Sequence, residues 1–150
     1  MAGIGLTSSS GATNSGVATK TLSQIVAAAN HRVRVERVRV SGNGTTAADT
    51  PTLIELVVQT SAGTASAQTL YKRTDGDDET IQTSALKTFT AEPTDGGVIK
   101  AAAFVHPTGR HEFVFPPGRD LYIQGGQRLG VRCNAPSQTN GWNVSWDLEE

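Results

Sequence analysis

Apolar and polar residues alternate along much of this chain, and the period is two. The clearest stretch is residues 31–41. Val33 and Val35 alternate with Arg32 and Arg34; the phase slips at Glu36, and Val38 and Val40 then alternate with Arg37 and Arg39. Side chains of a strand point alternately to its two faces, so an uncorrected slip would turn the second pair of valines to solvent. One extra residue near Glu36, a β-bulge, restores the phase. The pattern therefore predicts a bulged strand with its four valines inward and its four arginines outward. Ser41-Gly42-Asn43-Gly44 turns the chain after it.

The last third is the most regular. Phe113 and Phe115 flank Val114, and Pro116-Pro117-Gly118 stops that strand. Leu121 and Ile123 alternate with Tyr122 and Gln124; Gly125-Gly126 follows, a pair suited to a primed hairpin turn. Leu129, Val131 and Cys133 then alternate with Arg128, Gly130 and Arg132. Trp142, Val144, Trp146 and Leu148 alternate with Asn143, Ser145 and Asp147, the mark of a half-buried strand. Core packing is the expected role of both tryptophans.

Between these regions, residues 52–60 predict a strand buried on much of both faces, and residues 98–105 a strand carrying Val98, Ile99, Phe104 and Val105. Residues 67–74 predict a weaker strand and residues 80–91 a weak strand or a strand plus turn; in residues 17–29 Leu22, Ile25, Val26 and Ala29 sit at helical spacing, but Thr19, Thr21 and the strand that follows favour an extended reading. Asp75–Glu79 and Glu92–Gly97 read as loops. Short strands with turn signals at this spacing point to an all-β fold, an antiparallel β-sandwich of jelly-roll type. No repeat of solenoid or propeller length is present. Residues 1–16 are rich in Gly, Ser and Thr and are expected to form a flexible N-terminal arm, leaving residues 17–150 as the folded domain.

Composition agrees. Thr, Val, Ser, Ala and Gly are abundant, whereas helical surfaces prefer long charged residues. At 150 residues the chain can bury about 70% of its unfolded surface, so no staple is required. Its single cysteine forms no disulfide within the chain. With 13 basic and 14 acidic residues the net charge is -1, which points to neither nucleic acid nor membrane as a partner. The N-terminus lacks the charge and apolar run of a signal peptide, and no apolar run has membrane-spanning length. The expectation is a soluble protein made in the cytoplasm.

Catalytic and ligand motifs are sparse. There is no nucleophile elbow and no phosphate-binding loop. Cys133 continues the Leu129–Val131 apolar face and reads as a buried, inert thiol. His106 and His111 could approach across a hairpin, but zinc needs three or four ligands. Asp75-Gly76-Asp77-Asp78-Glu79 lacks the spacing of a calcium loop and reads as a solvated turn. No metal, cofactor or catalytic residue is expected. The arginine ladder Arg32, Arg34, Arg37 and Arg39 is the most suggestive feature. It pairs with acids on adjacent strands, for example Glu55 or Glu112, or meets a neighbouring subunit. These four arginines, with His106 and His111, are the candidate protein-interface residues.

The run Phe113-Val-Phe-Pro-Pro-Gly-Arg-Asp-Leu-Tyr-Ile-Gln-Gly-Gly-Gln-Arg-Leu-Gly-Val-Arg-Cys-Asn-Ala-Pro136, followed by Val144-Ser-Trp-Asp-Leu-Glu149, resembles jelly-roll virion proteins of tailed bacteriophages, in particular small capsid decoration (cement) proteins. The resemblance covers about the last 40 residues well and the rest in outline. It implies a homotrimer on the outside of a capsid, bound to the major capsid protein and assembled in the host cytoplasm. A receptor- or carbohydrate-binding module of a tail or fibre is the alternative. An enzyme on the same scaffold would need a histidine-rich metal cluster.

Overall fold

A computed structural model describes residues 3–44, 50–76 and 78–150. The chain folds as two antiparallel sheets packed into a β-sandwich. Its strands are β1 (Gly5–Ser9), β2 (Thr13–Asn14), β3 (Lys20–Val26), β4 (Val33–Gly42), β5 (Thr52–Gln59), β6 (Thr64–Gln68) and β7 (Leu70–Lys72), then β8 (Ser84–Ala91), β9 (Asp95–Val105), β10 (Arg110–Val114), β11 (Leu121–Ile123), β12 (Arg128–Cys133) and β13 (Gly141–Glu149). The first sheet runs β10-β4-β13-β1-β7, with β11 beside β10 against β4 and β2 beside β1 against β13. The second runs β6-β8-β3-β12-β5-β9.

The pairings are nested. β1 lies beside β13, β3 beside β12, β4 beside β10 and β5 beside β9, and the first and third pairs share one sheet while the second and fourth share the other. β6, β7 and β8 come from the connection between β5 and β9 and widen the sandwich on the side away from β9 and β10.

The bulged strand forms as its pattern predicts. β13 pairs Asp147 with Arg37 and Leu148 with Val35, so Glu36 is the extra residue. Val33, Val35, Val38 and Val40 are all fully buried. They meet Leu6, Leu22, Ile25, Ile54, Leu56 and the tryptophans in one core. Trp142 and Trp146 are fully buried, as the alternation of β13 requires.

Three expectations are corrected. Residues 5–9 and 13–14 are strands of the first sheet, not part of a flexible arm. β1 sits between β13 and β7, with Leu6 fully buried. Composition misled because small polar residues are buried here through hydrogen bonds rather than through apolar area. Ser8 Oγ donates to the Thr69 carbonyl (2.6 Å), and Ser10 Oγ accepts the Val144 N–H (2.9 Å). Met1 and Ala2 lie outside the described residues.

Second, Gly125-Gly126 makes no hairpin, because β11 belongs to the first sheet and β12 to the second. The Gln127 N–H bonds the Gln124 carbonyl at 2.9 Å, and of the two glycines only Gly126 has positive φ (77°). That is a type II turn carrying the chain between sheets. Third, residues 67–74 do not form one strand. The chain changes sheets at Thr69, so β6 pairs with β8 and β7 with β1.

A candidate protein-binding flank

The arginine ladder lies on the outer face of the first sheet, and carboxylates neutralise much of it. Arg34 is ringed by Glu149 (2.5 Å), Glu36 (2.7 Å) and Asp120 (3.5 Å). Arg37 donates to Asp147 Oδ2 from Nε (2.8 Å) and Nη2 (2.7 Å). That hydrogen bond, and then the charge behind it, push the Arg37 guanidinium above its ordinary pKa. Arg39 reaches the same carboxylate at only 3.7 Å. Glu36 also receives Arg73 at 2.6 Å. Arg32 instead stacks over the Tyr122 ring, 4.2 Å from its centroid.

The ladder thus pairs with neighbouring acids, but mostly not with those named from the sequence. Glu55 lies in the second sheet and holds Arg132 at 2.7 Å. Glu112 stands opposite Arg39 across β10 and β4 and adds to the field at Arg37. A shallow groove of about 390 Å³ runs over Arg34, Glu36, Arg37, Arg73 and Asp147, walled by Val114, Phe115 and the two prolines that follow.

The two histidines of the 106–111 segment do not act together. β9 and β10 belong to different sheets, so no hairpin brings the imidazoles across from each other. His106 Nδ1 meets Thr108 Oγ1 at 2.8 Å, whereas His111 packs edge-on against Phe113 at 4.6 Å. Among the described residues no group of three or more His, Cys, Asp or Glu is placed to hold a metal. Asp77, in the acidic turn, lies outside the described residues. Cys133 is buried, and that burial pushes its thiol up to about 12.

The feature that sequence reasoning missed lies on one side of the sandwich. β9 ends the second sheet, and β10 and β11 end the first on the same side. Of the seven large apolar side chains exposed among the described residues, five belong to these three strands: Val98, Ile99, Phe104, Val114 and Tyr122. Phe104 is 70% exposed and Val114 58%. The cause is local register. In β9, Ala101, Ala103 and Val105 oppose the core-facing Leu56, Ile54 and Thr52, which turns Phe104 outward. In β10, Phe113 fills the core and Val114 is turned out opposite Arg37.

Comparison of the chain with protein-family models, curated proteins and solved structures finds no match. What the site can do therefore follows from its own chemistry. Exposed cations rim the apolar residues: Arg32, Lys100, Arg110 and Arg119 are all exposed, and none of them forms an ion pair among the described residues. Scattered exposed apolar residues are ordinary on a protein surface, whereas a set gathered on one flank makes a candidate contact surface. A sequence signal for it existed. β9, β10 and β11 carry apolar residues at both strand phases, whereas β4 and β13 carry polar ones at every outward position of the ladder.

Proposed function

We propose that this chain is a structural virion protein of the decoration type. It binds the outer surface of a tailed-bacteriophage capsid, contacts the major capsid protein and other copies of itself, and stabilises the shell by bridging neighbours. The observation that carries this reading is the β9–β10–β11 flank, which gathers five of the seven large apolar residues exposed among the described residues beside exposed cations. Such a surface serves contact with another protein.

Two further observations support it. The run from Phe113 to Pro136 carries the resemblance to decoration proteins. The nested pairing of β1 with β13, β3 with β12, β4 with β10 and β5 with β9 supports a jelly-roll topology, with β6–β8 as an addition. Many copies on one lattice would sum small contact energies through multivalency. The bridging role falls to surface patches rather than to a loose arm, since β1 and β2 are part of the sheet.

The test is co-sedimentation with preformed shells of the major capsid protein from the same phage. Saturable binding, with a rise in the temperature at which the shells break up, is the expected result. Shells that pellet without the chain at saturating protein reject the reading.

A further inference from the structure

We infer that the partner of the β9–β10–β11 flank docks through one anchor, an apolar side chain with a carboxylate beside it, set into the cleft beside β11. This deepens the reading of the flank as the face that meets the capsid protein, and it rests on that reading.

Two local features shape the cleft. β11 is only three residues long, and the 124–127 turn leads from it into β12 of the second sheet. In β9, Ala101 pairs with Leu56 and Ile99 with Val57, so Lys100 is an extra residue in the strand. Bulges re-aim side chains, and Lys100 stands exposed at the cleft. The buried Ile123 and Leu129 and the half-buried Val58 and Leu121 give the cleft an apolar floor. Arg128, at the start of β12, is the second cation in its wall.

The charge at the cleft has one sign. Lys100 forms no ion pair among the described residues. Arg128 reaches the Thr60 carbonyl only at 3.5 Å, and its Nε is buried without a hydrogen-bond partner among the described residues. No acid is among the described residues that line the cleft. Acids on neighbouring segments face other arginines. Asp120 is held by Arg34 at 3.5 Å, Asp95 by Arg132, and Glu112 stands opposite Arg39 across β10 and β4. Two cations with no counter-charge select a carboxylate, which a guanidinium holds through paired N–H donors.

Size decides what carries that carboxylate. The cleft holds about 180 Å³, below the roughly 300–1,000 Å³ of small-molecule sites. It takes one apolar side chain, the kind of anchor that dominates a protein interface. Val98, Ile99 and Phe104, exposed on the same strand as Lys100, extend the apolar contact around it.

The probes are two blocked dipeptides, acetyl-leucyl-glutamate amide and acetyl-leucyl-glutamine amide, titrated into the full chain and followed by NMR. Saturable shifts of the Val58, Leu121, Ile123 and Leu129 methyls are expected, with the acid binding about tenfold tighter than the amide. Lys100→Gln with Arg128→Gln should erase that preference and leave the signals of the buried tryptophans in place. Lys100→Gln alone, at an exposed side chain, should narrow it, and supplies the comparison should the double variant not fold. No shifts at millimolar peptide, equal binding of the two peptides, or folded variants that keep the full preference overturn the inference. Co-sedimentation separates it from the shell reading. The double variant should bind shells about tenfold more weakly. Shell binding that the variant leaves unchanged overturns the docking role of the cleft alone. Peptide binding by a chain that ignores shells removes the shell reading and leaves the chemistry of the cleft standing.

Discussion

Trp146 donates its indole N–H to Ser23 Oγ at 2.8 Å, from β13 in one sheet to β3 in the other. Ser23 Oγ in turn donates to Gln68 Oε1 (2.7 Å), and Gln68 Nε2 donates to Ser8 Oγ (2.9 Å), which donates to the Thr69 carbonyl. This chain of bonds crosses the core, and Trp146, Ser23, Gln68 and Ser8 are all buried. Each link satisfies a polar group that would otherwise be stranded in apolar surroundings. Ser23→Ala leaves the indole N–H without an acceptor and Gln68 Oε1 without a donor. The expected loss is about 2–4 kcal/mol. Urea unfolding followed by tryptophan emission measures it, with the midpoint falling and the slope unchanged. A loss below about 0.5 kcal/mol would mean that the network carries no net stability.

The same network shows why the N-terminal segment belongs to the domain. Leu6 is fully buried between β13 and β7, and Ile4 exchanges backbone hydrogen bonds with Glu150. Leu6→Ala is expected to cost about 2–5 kcal/mol. Removing residues 3–9 is expected to abolish cooperative unfolding, because the first sheet then loses an interior strand. Circular dichroism during heating distinguishes the outcomes. A truncated chain that melted as sharply as the full one would show β1 to be dispensable.

How far the sequence could be read follows from these cases. The β4 bulge, the buried face of β13 and the burial of Cys133 were all legible, because each is written in period-two alternation of large apolar residues. Ser8, Ser10 and Ser15 were not. They are buried by hydrogen bonding, which leaves no hydrophobic signature. The apolar flank was half legible. Alternation marks which residues share a face, but burial at an edge also depends on what lies beyond it. Val98, Ile99 and Phe104 look like core residues until β9 is known to end its sheet. The ladder's true partner, Asp147, sits on a strand 110 residues away in sequence, so its pairing had to await the topology.

The bulge makes an unusual forecast. Deleting Glu36 leaves Val33-Arg34-Val35-Arg37-Val38-Arg39-Val40, which alternates without interruption. All four valines then face the core in a regular strand. The deletion removes the Glu36 ion pairs to Arg34 and Arg73 and the bond from the Phe115 N–H to the Glu36 carbonyl. A folded protein weakened by about 1–3 kcal/mol is expected. Deleting Arg39 instead keeps the bulge and turns Val40 and everything after it to the wrong face. That chain is expected to be insoluble. Soluble yield and thermal melts of the two deletions make the comparison. Equal damage from both would show that the bulge fixes more than the phase of the strand.

Cys133 links burial to pH. Its thiol is held up to about 12 in the folded chain by desolvation. An unfolded thiol titrates at about 8.5. Between these values the unfolded chain has released a proton that the folded chain retains, so stability must fall as pH rises. The stabilising difference is complete below the unfolded value and is lost progressively on the way to the folded one. The slope contributed by this single group is at most about 1.4 kcal/mol per pH unit. Lysine and tyrosine titrations overlap that range, so the measurement is a difference between the native chain and Cys133→Ala. Their stability curves are expected to run parallel below about pH 8 and to converge above it, since only the native chain loses this contribution. Thiol reagents should leave the folded protein unmodified and react once urea unfolds it. Parallel curves through about pH 10.5, together with rapid labelling of the folded chain, would mean that solvent reaches the sulfur behind β12.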